Sequence, residues 1–284
     1  MAALAKRKLK KILVSLKLLG LADYLLFIKD KLLCLRANSL YIARTGALRR
    51  PADICWDAHN TTNLELIDRL GELHFAPFLS ILDSAFPQSQ KCLKIFEWGA
   101  GPGRLLLQFD RLRQQRPNAF ELFGSDYNAK TVRFMSKYVS SIDYRANRLM
   151  PPLGCFEDQP DGFDFIYSFS VFTHLTEAAY CAWLKELLDL LTPGGIFCFT
   201  VNGDALSAYL HGNARQMYDL GEYVYFPGSS EGKKNSISHV SRAYVENSLP
   251  ECCEIFEFIP GGCNEAFFQD LFAIRKCISA PLGE

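Results

Sequence analysis

The chain has 284 residues, 49% of them hydrophobic, enough to bury a large core as one big domain or two small ones. Basic and acidic residues balance at 31 each, but the first fifty residues hold twelve basic side chains and only Asp23 and Asp30 as acids. The body that follows is therefore acidic, which repels phosphate and weighs against a nucleic acid partner.

The N-terminal stretch KRKLKKILVSLKLLGLADYLLFIKDKLLCL imitates a signal peptide, with basic residues before an apolar run. Lys17 and Asp23 interrupt that run, no small-residue cleavage site is evident, and nowhere are there about 18 apolar residues in a row. Leucines at three- and four-residue steps predict one or two amphipathic helices. Such helices pack on the domain or cover a pocket, the preferred reading, or residues 1–36 make a peripheral contact with anionic lipid. The expected place is the cytoplasm, with membrane association as the alternative. Residues 1–55 read as a basic helical extension and 56–284 as the main domain.

Ten cysteines are scattered with no CxxC or Cys/His ligand spacing, so no metal site is expected. They read as free buried thiols in a reducing compartment.

Residues 56–86 predict a helix with an Asn-Thr-Thr start. A buried strand follows at 91–96, then a helix at 104–116 stopped by Pro117. Strand 120–125, helix 130–139 and a weaker strand 142–146 come next. Strand 163–168, helix 177–191 and strand 196–201 complete the alternation. This βαβ spacing implies a mostly parallel sheet covered on both faces. FDFIYS and IFCFTV are apolar nearly throughout, as two-sided burial requires. After Val201 the rhythm breaks, and 202–250 reads as an insertion or cap rich in Tyr, Gly and Ser. CCEIFEFI and DLFAIRKC then form two strands with no crossover helix between them, hence an antiparallel pair.

FEWGAGPGRLLLQF, residues 96–109, carries the chemistry. Glycines at a strand end let the chain turn tightly and let a ligand approach the backbone. The dinucleotide fingerprint is GxGxxG, yet here Gly99, Gly101 and Gly103 alternate and Arg104 stands where the third fingerprint glycine belongs. Pro102 has no N–H to offer a pyrophosphate. Glu97, ahead of the glycines, repels phosphate and attracts an ammonium or sulfonium. Asp126 closes the second strand, and a carboxylate there accepts the hydroxyls of a ribose. The pattern calls for a nucleoside with a cationic amino-acid tail, and S-adenosylmethionine is such a molecule.

At this point the chain resembles the class I S-adenosylmethionine-dependent methyltransferases, well over residues 90–201 and more loosely in the final hairpin. FEWGAGPG is similar to the family's acid-x-G-x-G-x-G loop, and GSDYN to its ribose-binding acid. RANRLMPPL sits where the family has an adenine-contacting segment. FDFIYSFSVFTHL and LLTPGGIFCFTV look like its fourth-strand and fifth-strand motifs. The resemblance implies a Rossmann-like, doubly wound, mostly parallel seven-stranded α/β sheet with an antiparallel C-terminal hairpin. It implies that Glu97, Gly99, Ala100 and Gly101, in the loop that ends with Gly103, line the methionine end. Asp126 would hold the ribose with Tyr127 beside the adenine, Asn147 and Arg148 would border the adenine edge, and Ser168 and Phe169 would lie under the methionine moiety.

His174, just past the fourth strand, is the candidate catalytic residue, because a near-neutral imidazole can take a proton from a hydroxyl; its recurrence across differing chemistries in the family equally suits a scaffold role. Tyr209, Tyr223, Tyr225 and His239 populate the segment after the fifth strand and are candidate substrate contacts, with ordinary packing as the alternative. Arg44 or Tyr41 could reach the cofactor's carboxylate. The expected activity is transfer of a methyl group to an oxygen or nitrogen of a small-molecule acceptor, with S-adenosylhomocysteine as product. The alternatives are a methyltransferase of lipid-linked or cell-surface glycans at a membrane surface, or a non-catalytic cofactor-binding partner subunit. The (N/D)PP(Y/F) signature of amide and base-amine methylation is absent, since SFSV occupies that position.

Overall fold

The computed structural model describes residues 19–87, 91–228, 236–261 and 268–278. Residues 1–18 of the basic extension, most of the polar tract GSSEGKKNS and Cys263 lie outside them. The chain divides into two compact units, Met1–Arg69 and Leu70–Glu284.

In the first unit, α1 (Leu19–Thr45) is a single long helix followed by α2 (Ala52–His59) and the start of α3 (Leu64–Ala85). Its fastenings are polar. Asp30 accepts from the Thr62 amide at 2.5 Å and hydroxyl at 2.8 Å, and Asn38 exchanges bonds with Thr62 O and Leu64 N. Arg50 and Asp68 form a buried ion pair, joined by the Tyr41 hydroxyl at 2.8 Å. Arg44 pairs with Glu65 at 2.8 Å. Tyr41 and Arg44, expected to reach toward a cofactor, thus hold partners within their own unit.

In the second unit the order is β1 (Leu93–Trp98), α4 (Leu106–Gln115), β2 (Phe120–Asp126), α5 (Ala129–Tyr138), β3 (Asp143–Ala146), β4 (Phe163–Ser168), a 3-10 turn (Phe172–His174), α6 (Glu177–Asp189) and β5 (Leu191–Val201). Then come α7 (Asp204–Ser207), α8 (Asn213–Asp219), β6 (Val224–Phe226), β7 (Ile237–His239), α9 (Arg242–Ser248), β8 (Cys253–Ile259) and β9 (Asp270–Lys276). The sheet order is β3-β2-β1-β4-β5-β9-β8, parallel except for β9, which runs antiparallel to β5 and β8. This is the expected Rossmann-like seven-stranded sheet, and its strand order reverses between β1 and β4.

Alternation along the strands fixes the layers. Phe96 and Trp98 of β1 join a buried cluster with Trp183 and Leu187 of α6, whereas Glu97 between them faces the other side. On that other side Phe109 of α4 packs its ring 5.2 Å from Tyr167. Thr176, Asn128 and Ser241 cap α6, α5 and α9 through their side chains, as short polar residues do at helix starts.

Two readings are corrected. The helix expected over 56–86 is two helices, because Asn60 adopts a left-handed conformation (φ 56°) and ends α2. The cysteines are not uniformly buried: Cys34, Cys55 and Cys198 are, but Cys181, Cys252 and Cys277 are exposed.

Candidate functional site

Gly99, Gly101 and Gly103 all take positive φ, at 73°, 52° and 74°, so the loop after β1 coils tightly before α4. Three of its amides are engaged within the chain. Ala100 N donates to Ser125 O at 2.9 Å, Gly101 N to Asp126 Oδ2 at 3.0 Å and Gly103 N to Ala100 O at 2.9 Å. Pro102 has none to give. A donor set of this kind does not cradle a phosphate, which needs convergent N–H groups.

Asp126 is buried and oriented from two sides, since its other oxygen accepts from Asn128 N at 2.7 Å. Tyr127 beside it is 39% exposed. Asn147 follows β3, its amide bonded to Asp126 O at 3.2 Å and its Nδ2 to Arg148 O at 2.7 Å. Arg148 is exposed.

Glu97 is 3% exposed. Its carboxylate accepts from the Tyr167 hydroxyl at 3.0 Å and from the backbone N–H of Leu106, the first residue of α4. Burial pushes its pKa up to about 8, and burial likewise draws the nearby Arg104 guanidinium down to about 10. Glu97 thus braces the glycine loop from within. Arg104 lies 4.7 Å over the Phe169 ring, and His74 stacks on Phe169 at 4.7 Å.

Among the described residues, several buried side-chain atoms lack a hydrogen-bond partner and belong to residues at or next to strand ends: Trp98 Nε1, Ser125 Oγ, Asn147 Oδ1, Ser168 Oγ and Gln269 Oε1. They end or follow β1, β2, β3 and β4, or precede the antiparallel β9, so topology brings all five to the carboxyl rim. Each such group costs about 1–3 kcal/mol. A row of them at the strand-order reversal is what a polar ligand would satisfy.

His174 ends the 3-10 turn with Nδ1 2.6 Å from Ser236 O. A carbonyl only accepts, so Nδ1 carries the proton and Nε2 presents a lone pair. Burial lowers the pKa of His174, favouring this neutral form. The insertion grips the same turn elsewhere: Ser238 Oγ donates to Phe172 O at 2.8 Å and the Tyr223 hydroxyl to Leu175 O at 2.9 Å.

The candidate substrate residues are not brought together. Tyr223 is 6% exposed and packs on Tyr180 and Tyr244, a core role rather than an open wall. Tyr225 is half-buried against the same core, and Tyr209 is 74% exposed on the surface. His239 is buried, its Nδ1 has no hydrogen-bond partner, and burial lowers its pKa.

Sequence reading missed five supporting residues. The Tyr144 hydroxyl donates to Gly101 O at 2.6 Å, as Tyr167 does to Glu97. For Tyr167 the available signal was a hydroxylated ring inside a mostly apolar strand; Tyr144, in the polar strand DYRA, had none. Ser170 takes a left-handed φ of 59°, held by Thr200 Oγ1 at 2.8 Å and Gln269 Nε2 at 2.9 Å, a contact between distant segments that no local pattern announces.

No curated protein matches the chain. A Haloferax volcanii methyltransferase, solved in complex with a methyltransferase activator, is 14% identical with a TM-score of 0.50, over 81% of this chain and 100% of that one. The glycopeptide N-methyltransferase MtfA is 14% identical with a TM-score of 0.48, over 71% of this chain and 89% of its own. The CMeT domain of citrinin polyketide synthase is 14% identical with a TM-score of 0.48 over 72% of this chain, which spans about half the length of that one, 51%. Residues 95–195 match the family model described as a methyltransferase domain. Over residues 95–195 the chain is therefore similar to a methyltransferase domain, and its β3-β2-β1-β4-β5-β9-β8 sheet has the Rossmann-like order that this similarity implies.

Proposed function

We propose that this chain moves a methyl group from S-adenosylmethionine to an oxygen or nitrogen of a small-molecule acceptor. The observation that carries the reading is the carboxyl rim of the sheet: a glycine loop with three of its amides engaged, next to a row of buried polar atoms lacking partners. These residues suit a nucleoside with a cationic tail better than a phosphate. When bound, the cofactor supplies an electrophilic methyl group on a good leaving group, the thioether sulfur.

The chain's own part is alignment, exclusion of water and handling of one proton. Asp126, oriented by two backbone amides, offers a carboxylate to the ribose hydroxyls. Asn147 Oδ1 is an acceptor suited to the adenine amino group, with Tyr127 and Arg148 at that edge. Gly99, Ala100 and Gly101 bring backbone close to the methionine end, and Ser168 and Phe169 lie beside it. Glu97 braces the loop from within and is proposed to face the cationic end of the methionine moiety. His174 Nε2 takes the proton when the acceptor is a hydroxyl or an ammonium. His239 is the insertion residue proposed to border the acceptor.

Isothermal titration with S-adenosylmethionine and S-adenosylhomocysteine tests the reading, and absence of binding to both rejects it. A native mass spectrum of gently purified protein would name the acceptor class, by the second ligand that co-purifies.

A further inference from the structure

The helix α1 is apolar on two sides, and only one of them is covered. Cys34 is buried on the inner side, where Phe27 meets Trp56 at 5.9 Å. Leu21, Leu25, Leu32, Leu33 and Leu40 lie outward with 53 to 71% of their surface exposed. Exposed leucine on this scale marks an interaction site.

The charges of α1 are sorted between the two sides. Both acids lie on the side away from these leucines: Asp23, itself exposed, accepts from Trp56 Nε1 at 3.2 Å and Asp30 is bound by Thr62. At 3.6 residues per turn, Lys29 and Arg36 fall among the outward leucines, and both are exposed. Asp23 and Asp30 are the sole acids in the first fifty residues, and folding withdraws both from the leucine face.

We propose that the outward face of α1 docks on an anionic lipid bilayer, lying in the plane of its surface. Leucines enter the acyl boundary while the Lys29 and Arg36 stems extend their charges to lipid phosphates and carboxylates. No described helix is long and apolar enough to cross a membrane, so the contact is peripheral. A second copy of the chain fits less well, since a two-fold contact would set Lys29 and Arg36 against a like-charged face.

The test is co-sedimentation of the full chain with vesicles of phosphatidylcholine alone or mixed with phosphatidylserine, at low and high salt. The chain should pellet with the anionic vesicles, less so at high salt. Leu25→Asn/Leu32→Asn and Lys29→Glu/Arg36→Glu should each reduce binding at least tenfold, with melting temperature and S-adenosylmethionine titration unchanged. Failure to pellet, equal binding to neutral vesicles, or full binding by both variants overturns the proposal, the last by assigning the contact to residues 1–18. A dimer in sedimentation velocity that the leucine variant converts to monomer assigns the face to a second copy instead.

Discussion

The Asp126 carboxylate accepts the Gly101 amide at 3.0 Å, which ties the end of β2 to the glycine loop that leaves β1. One side chain thus shapes the loop and stands where the ribose is proposed to bind. Asp126→Ala should weaken S-adenosylmethionine binding at least tenfold by titration calorimetry, about 1.4 kcal/mol. It should also lower the melting temperature, because the half-buried Gly101 and Asn128 amides lose their acceptor. Asp126→Asn, which keeps one acceptor oxygen, should retain more stability than binding.

Glu97 predicts a pH signature. Its folded pKa near 8 lies above the ordinary carboxylate value of 4.5, so the folded protein binds the extra proton between those limits. The contribution is full below pH 4.5 and is lost as pH rises through 8. The melting temperature of wild type relative to Glu97→Gln should therefore fall from about pH 5 to pH 8, measured by calorimetry in matched buffers. A constant difference would show that Glu97 ionises normally.

His174→Ala separates base from scaffold. As the base, its loss should cut turnover by about 10²–10⁴ with cofactor affinity unchanged. The pH–rate profile should also lose its acid limb, which lies below the ordinary imidazole range because burial lowers the His174 pKa. As a clamp for the Ser236 carbonyl alone, its loss should lower the melting temperature and leave the profile's shape intact.

Gly99 is required twice over. A Cβ there would lie 2.5 Å from Val171 Cγ2, and its φ of 73° disfavours any side chain. Gly99→Ala should destabilise the protein and abolish cofactor binding. Adding Val171→Ala should recover stability only in part, because the clash is removed and the backbone strain remains. Thermal melting of both variants measures this.

The alternating pattern of strands and helices was legible because two-sided burial demands apolar strands such as Phe163–Ser168, whose bounds agree with the structure. The cofactor loop was legible because glycine and proline act locally, through φ and a missing N–H. In the insertion the folding logic is tertiary. Tyr223 reads as a ligand-facing hydroxyl, yet the structure binds it to Leu175 O, 48 residues earlier. Glu97 reads as a charge for the ligand; that it also takes hydrogen bonds from Tyr167 and from α4 is visible only in the packed chain.

By itself the sequence determined the sheet and the glycine loop, since each depends on short-range patterning and on which backbone groups exist. Only the tertiary structure decided which side chains face which surface: that Asp126 is pinned by the loop, that His174 holds its proton on Nδ1, and that α1 sets its two acids on the side away from its exposed leucines. The reason is that a hydrogen-bond partner far along the chain leaves no trace in local composition, and burial is a property of the packed molecule.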